Sequence, residues 1–473
     1  MTHSFDVLVI GSGVAGLSAA RRAQQLGGSV LVLEKAWDLP GFGNSRQSGA
    51  IFVAADAPPT TPPDVLYRRM MERTDGTARP DVVRAWADNV ARALRFQVAE
   101  GAVYGTRGAS DESPYRLQPP QPQALGRPWR GAGPDVFLTR LVDRVRVASG
   151  TVIAGARARR LLVEGGRVVG VEASTADGVQ RFRARSVVMA DGGFQANREL
   201  MARHVTTDYL LDGSPLDTGD CLQMALEFGA RTASMDVFYG HCRHRDALHN
   251  PRLSPHPAPA AAIEASLAVD AHGRRIADEA AGTTVMAVAI ARSTTPGDCW
   301  LVLDDITWTG TAARGARRNV AELPLNPVLE QEGATVVVAD SIEELAVRIP
   351  APMEALAVTV TIYNRAVERR AGHELTPPRT GSPAPLARAP YRAIPLIAGV
   401  YFTMGGVLVN GRAQVLDERE RPIPGLLAAG GTMAGLMGGP RAGYAGGWGE
   451  ASTFGLLAGE SAMAAARAED AGD

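Results

Sequence analysis

Lysine is almost absent from this chain: all but one of the 49 basic residues are arginine, the exception being Lys35. With abundant alanine and glycine, this is the codon bias of a GC-rich genome and carries no functional signal. Cysteine is scarce as well. Cys221, Cys242 and Cys299 lie far apart with no C-x-x-C pair. That leaves no disulfide framework and no zinc or iron–sulfur site, and it fits a reducing cytosol. No metal is expected, since His241, His244, His249 and His256 share no ligand spacing. No run of 18 apolar residues occurs, so no membrane-spanning helix is expected. Neither sign of charge dominates: 49 basic against 50 acidic side chains leave a net charge of −1. Nothing therefore recommends nucleic acid or an anionic membrane as partner. The first apolar stretch is broken by Gly11, Gly13 and Gly16 and has no charged leader, so no signal peptide is expected there, and a cytoplasmic location is expected.

What is present is a chain of 473 residues with 45% hydrophobic content, enough for two globular domains or three. Residues 5–10 are a continuous apolar run, the pattern of a parallel strand covered on both faces. The turn Gly11-Ser-Gly-Val-Ala-Gly16 leads into a helix reaching about Leu26, and a second strand from Ser29 to Leu33 ends at Glu34. Together they form one βαβ unit. Residues 151–189 alternate short apolar runs with turns such as Glu164-Gly165-Gly166, which predicts an antiparallel meander. Its last strand, Ser186 to Ala190, runs into Asp191-Gly192-Gly193. Before it, the proline-rich segment 113–134 is predicted to be an irregular surface loop. From about Asp236 to Pro390 prolines cluster at 251–259 and 377–390 without any glycine fingerprint, as an inserted second domain would. Glycine returns after Pro390, with strands predicted over 398–409 and 425–429 and a closing helix over 447–468.

The chemistry begins at Gly11-x-Gly13-x-x-Gly16. Gly11 allows the tight turn, Gly13 lets backbone approach a pyrophosphate, and Gly16 lets helix and strand pack closely. The helix N-terminus is then expected to present free N–H groups and its positive dipole to the phosphates, with Ser12, Val14 and Ala15 among the cofactor-binding residues. Glu34 suits a ribose hydroxyl and, being acidic, argues against a 2′-phosphate; Lys35 follows it directly. Glycine turns occur without ligands, but here strand, helix, second strand and terminal acid stand together. No second fingerprint of the kind that takes NAD(P)H follows.

Later segments specify the cofactor. Gly43-Asn-Ser-Arg-Gln-Ser-Gly49, Val187-Val-Met-Ala-Asp-Gly-Gly-Phe194 and Thr218-Gly-Asp220 come first; Phe402-Thr-Met-Gly-Gly406, Val415-Leu-Asp417 and Pro422-Ile-Pro-Gly-Leu-Leu-Ala-Ala-Gly430 follow. In this order, over nearly the whole chain, they resemble the fumarate reductase/succinate dehydrogenase flavoprotein family, and tricarballylate dehydrogenase-like members most. The resemblance implies an α/β fold: a Rossmann-like FAD-binding domain (parallel sheet plus small antiparallel meander) in two pieces, 1–235 and 391–473, with an inserted α+β capping domain, 236–390. It implies FAD, held at Gly43, Asn44, Ser45, Ser48, Gly49, Ala158, Ala190, Asp191, Gly192 and Asp220. The C-terminal part would contribute Gly406, Gly430, Gly431, Gly447, Trp448 and Gly449. Covalent members carry a histidine where this chain has Asn44, so the FAD is expected to be dissociable.

By the same resemblance a small substrate, typically a carboxylate, lies between the domains over the flavin. The family's substrate arginine falls on Arg441, whose fork would grip a carboxylate; the alternative is a surface arginine on a glycine loop. His241 and Thr403 fall on substrate-binding positions, or are a loop histidine and a strand residue. Glu279 matches a glutamate lining the site, or is a cap ion-pair residue. Tyr401 and Tyr444 are candidate proton-transfer groups if cations or hydrogen bonds lower their pKa, or else packing tyrosines. Several departures stand out. The proton-donor arginine of fumarate reductases falls near Trp308, a relay arginine near Gly282, a histidine on Phe402, and the cofactor-holding glutamate of Ala-Ala-Gly-Glu on Gly431. The expected activity is therefore oxidation or reduction of a CH–CH bond beside a carboxylate or carbonyl, by a route other than the fumarate reductase one. Ketosteroid dehydrogenase-like or amino-acid oxidase-like activity, or flavin binding without turnover, are the alternatives. Electron donor and acceptor stay open.

Overall fold

The structure, a computed structural model, describes residues 4–50, 52–105, 115–120, 129–254, 257, 259–314, 323–381 and 383–470. Its organising element is an eight-stranded sheet. Ser4–Ile10 lies at the centre, parallel to Val30–Leu33 on one side and to Gly178–Met189 on the other. Thr151–Ile153 extends one edge in parallel, and Pro422–Ala428, parallel to Gly178–Met189, extends the other. Val7, Leu8, Val9 and Ile10 are all buried, with the helices Val14–Gln25 and Gly447–Asp470 packed on the strand, and this full burial is why the run shows no alternation. Each such side chain contributes roughly 1.5–3 kcal/mol of burial.

The helix Val14–Gln25 follows the glycine turn, and the closing helix Gly447–Asp470 packs along it. Small residues permit the contact: a Cβ on Gly455 would lie 2.3 Å from the Ala15 carbonyl oxygen. The meander is Arg157–Glu164, Arg167–Thr175 and Gly178–Met189. Thr151–Ile153, which the sequence pattern assigns to it, instead pairs with Val30–Leu33 as a parallel edge strand.

A second sheet lies across the nucleotide-binding sheet's cavity. Tyr391–Thr403 is its hub, pairing with Phe238–His244, Cys299–Leu303, Val337–Ala339 and Leu210–Leu211, while Leu267–Val269 pairs on Cys299–Leu303. The sequence division at residue 390 thus cuts this sheet from its central strand, which is buried over most of its length. Composition changes at Pro390, whereas strand pairing continues to Thr403. Of the proline-rich segment 113–134, residues 113–114 and 121–128 lie outside the described set. The rest includes a strand pair, Arg116–Leu117 with Tyr104–Gly105, and the start of the helix Gly133–Val147. Among the described residues no helix is long and apolar enough to cross a membrane.

Candidate active site

A cavity of about 1680 Å³ runs from the first glycine turn to the underside of the second sheet. That exceeds the roughly 300–1,000 Å³ of a drug-sized site and has room for a dinucleotide together with a substrate. At one end lie Gly11, Ser12, Gly13, Val14 and Ala15. Gly11 has φ +102°, and a Cβ there would lie 2.3 Å from the Ala190 carbonyl oxygen. Gly13 is different: its Cβ would approach only Ser45 Oγ, at 3.2 Å, so the missing side chain leaves cavity rather than relieving a clash. Gly16 lies behind the wall, against Gly11.

Glu34 lines the cavity, yet its carboxylate already serves the turn. Ser12 donates to Oε2 from both N (2.9 Å) and Oγ (2.7 Å), and Ala36 N donates to Oε1 (2.8 Å). Of about four lone-pair sites, one is left for a ribose hydroxyl. Lys35 reaches Thr218 Oγ1 and Asp220, and Arg157 grips Asp220 through two bonds of 2.9 and 2.7 Å. Asp191 accepts from Cys221 N and Thr432 Oγ1, and burial pushes its pKa up. Ala158, Ala190, Gly192, Gly430 and Gly431 complete this stretch of wall.

The 43–49 segment forms a second wall. A Cβ on Gly43 or Gly49 would meet nothing within 4 Å. Ser45 Oγ accepts from Val14 N at the helix start, and Ser48 Oγ from Ala50 N. The Asn44 amide is held at both ends: Nδ2 donates to Asp217 and to the Tyr401 carbonyl, and Oδ1 accepts from Ser214 N. These residues fit FAD, since the glycine cradle leaves space for its pyrophosphate and the side-chain-free walls leave room for its rings; contrary to the sequence expectation, the Ser12 and Val14 N–H groups are already bound to Glu34 and Ser45. Acid precipitation of the purified yellow protein is expected to release all flavin into the supernatant, because Asn44 offers no nucleophile. Flavin fluorescence remaining on the denatured polypeptide would contradict it.

Beneath the second sheet the lining becomes aromatic. Tyr239 stacks on Tyr444 (centroids 4.0 Å apart, planes at 19°), with Phe402 and Tyr401 beside them. His241 lies in this group, its Nδ1 2.6 Å from Thr283 Oγ1 and its Nε2 3.2 Å from the Tyr239 hydroxyl. Arg243 is buried, ion-paired with Asp212, and donates from Nη2 to the Tyr401 hydroxyl at 2.8 Å. The hydroxyl of Tyr444 accepts from Gly447 N, and burial pushes its pKa up to about 12. Arg243 and Tyr239 escaped the sequence reading. Their signal was available in Tyr239-Gly-His-Cys-Arg243, where alternate residues of one strand face one side.

Four further candidates stand off the cavity wall. Glu279 is 0% exposed and absent from the cavity wall; it is clamped by Arg275 and Arg379 and accepts from Ala268 N. It is an ion-pair residue of the second sheet's layer, because burial of a carboxylate demands paired charge. Thr403 is also buried off the cavity, its Oγ1 accepting from Phe194 N and pinning the turn after Asp191. Gly406 and Gly449 lie behind the wall, where side chains would press on Thr432 and Val53 backbone oxygens; Gly447 and Trp448 are on the wall itself. Arg441 is at the rim, its side chain 62% exposed, with Nε and Nη2 bound to Asp75 and Nη2 also to the Glu72 carbonyl. His244 is buried and bound to backbone, His249 is exposed, and His256 lies outside the described residues.

Two further acids line the cavity. Asp217, beside Asn44, is pushed up to about 7 and Glu450 to about 8, in both cases chiefly by burial. Because their folded pKa values are raised, their contribution to stability is full below the ordinary carboxylate range and is lost as pH rises through about 7 and 8. The melting temperature of cofactor-stripped protein is expected to fall between about pH 5 and pH 9, and Glu450→Gln to flatten part of that slope. A profile identical in wild type and variant would show that Glu450 does not titrate there.

Site and fold together define a dinucleotide-binding flavoprotein. The chain belongs to the FAD binding domain family, whose pattern matches residues 6–447, and its cofactor is FAD. It is 28% identical over 338 residues to NADH:acrylate oxidoreductase of Vibrio harveyi (69% of this chain, 32% of that protein). With NADH:fumarate oxidoreductase of Klebsiella pneumoniae (strain 342) it shares 26% over 483 residues (98% and 48%). The chain thus spans a third to a half of the length of these two relatives. It is also 26% identical over 565 residues to 4-oxocyclohexanecarboxylate 2-dehydrogenase of Sinomonas cyclohexanicum (99% and 94%). The fold is shared with 3-ketosteroid delta1-dehydrogenase from Sterolibacterium denitrificans (TM-score 0.74, 21% identity, 98% of this chain and 100% of that one).

Proposed function

We propose that this chain is an FAD-dependent oxidoreductase that adds or removes hydrogen across a carbon–carbon bond next to a carboxylate or carbonyl of a small organic molecule. The observation that carries this reading is the continuity of one cavity from the Gly11 turn to the chamber of Tyr239, Tyr401, Phe402 and Tyr444. Relatives named for acrylate, fumarate and an oxocyclohexane carboxylate support the substrate class. FAD, when bound, supplies the hydride acceptor or donor.

The chain's own groups do the rest. Arg243, fixed by Asp212, donates to the Tyr401 hydroxyl. With that bond accepted, Tyr401 passes or takes a proton at the carbon next to the one exchanging hydride, the usual task of a positioned acid–base group. His241, Thr283 and the start of the helix Thr283–Arg292 line the same chamber and offer donors to a carboxylate or carbonyl oxygen. Arg441 would bind a carboxylate as a fork only by releasing Asp75, which suits a rim residue met on entry. The proton route differs from that of fumarate reductases: Gly282 and Trp308 carry no titratable group, and Trp308 is buried beneath Arg392. The stacked phenol rings suit flat substrates.

The test is an anaerobic one. Dye-reduced holoprotein is mixed with 2-enoic acids and cyclic enones, and oxidised holoprotein with their saturated counterparts, while the flavin absorbance is followed. Reoxidation or bleaching by members of either set is the expected result. If none of them changes the flavin faster than buffer does, the protein binds FAD without this chemistry.

A further inference from the structure

We propose that Glu450 is a cofactor-binding residue, exchanging a hydrogen bond with a hydroxyl or ring N–H of FAD in place of the glutamate that Gly431 lacks. Glu450 lies in the first turn of the closing helix and is 3% exposed. It lines the cavity together with Gly430, Gly431 and Ala451. Among the described residues none donates a hydrogen bond to its carboxyl or forms an ion pair with it. A buried carboxyl with no partner costs the protein stability, and such a group calls for an explanation.

The local geometry brings the residue beside the Gly430–Gly431 turn. A Cβ on Gly430 would lie 2.9 Å from Ala15 Cβ and 3.6 Å from Ala451 Cβ, so the 430–431 turn, the start of the first helix and the first turn of the closing helix converge. A side chain on Gly431 would crowd Gly193 N at 3.1 Å, so the turn itself has little room for an acid. The neighbouring helix supplies one. Burial raises the Glu450 pKa, so the group carries its proton near neutral pH and can donate as well as accept, without adding charge beside a pyrophosphate.

The experiment compares Glu450→Gln and Glu450→Met by flavin-to-protein ratio, by equilibrium dialysis of the holoprotein and by the temperature at which flavin fluorescence appears; far-UV circular dichroism reports folding. Glu450→Met is expected to fold and to bind FAD about ten-fold or more weakly, the loss of a hydrogen bond to a buried acid. Glu450→Gln, which keeps a hydrogen-bonding oxygen, is expected to stay within about three-fold of wild type. FAD binding within two-fold of wild type in a folded Glu450→Met overturns the proposal, as does an equal loss in both variants. Failure of Glu450→Met to fold assigns the side chain to the core and overturns it too.

Discussion

Replacing Tyr401 by phenylalanine is expected to lower turnover by about 10²–10⁴-fold, the usual contribution of a positioned acid–base group, while FAD stays bound. The backbone at Tyr401 is held independently of its hydroxyl, since its carbonyl accepts from Asn44 Nδ2 and its strand is the hub of the second sheet. Losing the hydroxyl therefore removes one hydrogen-bonding atom, the one that Arg243 addresses from a buried ion pair with Asp212. Tyr444→Phe is the comparison. Its hydroxyl is engaged with Gly447 N at the start of the closing helix, so that variant should cost thermal stability more than rate. The measurement is kcat and flavin content of both variants on a substrate that bleaches or reoxidises the flavin. Turnover of Tyr401→Phe within about three-fold of wild type would remove Tyr401 from the proton path.

Gly11→Ala is expected to yield little or no folded flavoprotein, whereas Gly13→Ala should fold and fail to hold FAD. The two glycines look alike in sequence but do different physical work. At Gly11 the positive φ and a Cβ 2.3 Å from the Ala190 carbonyl combine backbone strain of about 1–3 kcal/mol with overpacking of about 1–3 kcal/mol. That is a large part of a typical stability of about 5–15 kcal/mol. The clash lies between the first strand's turn and Ala190-Asp191, directly after the strand Gly178–Met189, at the C-terminal end of the main sheet's central strands. At Gly13 the added methyl meets only the tip of Ser45 and otherwise enters the cavity where the pyrophosphate must approach. Flavin-to-protein ratio and circular dichroism of the two variants decide it. A Gly11→Ala protein that is folded and yellow would mean that the turn has slack that its geometry denies.

Many of the residues expected to hold the cofactor line one cavity, and the first of them are recognisable from local pattern. A glycine turn after a buried strand, a helix and an acid ending the next strand all fall within 30-odd residues. Their roles depend on local backbone geometry, which short segments carry by themselves. The family segments extend this along the chain: four of them run through the end of a strand, segment 43–49 holds a short helix and segment 218–220 starts one. Dissociable FAD is an expectation that Asn44 carries only through the family resemblance, and acid precipitation tests it.

What the sequence by itself determined is therefore the α/β class and the dinucleotide turn, which rest on periodicity and on backbone positions that few residue types can occupy; FAD and the order of the wall segments followed from the resemblance of those segments to a flavoprotein family. Only the tertiary structure decided which side chains meet. Glu279 looks like a site acid until Arg379, 100 positions away, closes on it. Arg441 looks like an open fork until Asp75, 366 positions away, takes it. Arg243 becomes a partner of Tyr401 only when strands 158 positions apart lie side by side. Charge pairing and burial over such separations depend on which distant segments the fold lays side by side, and a local pattern carries no record of that.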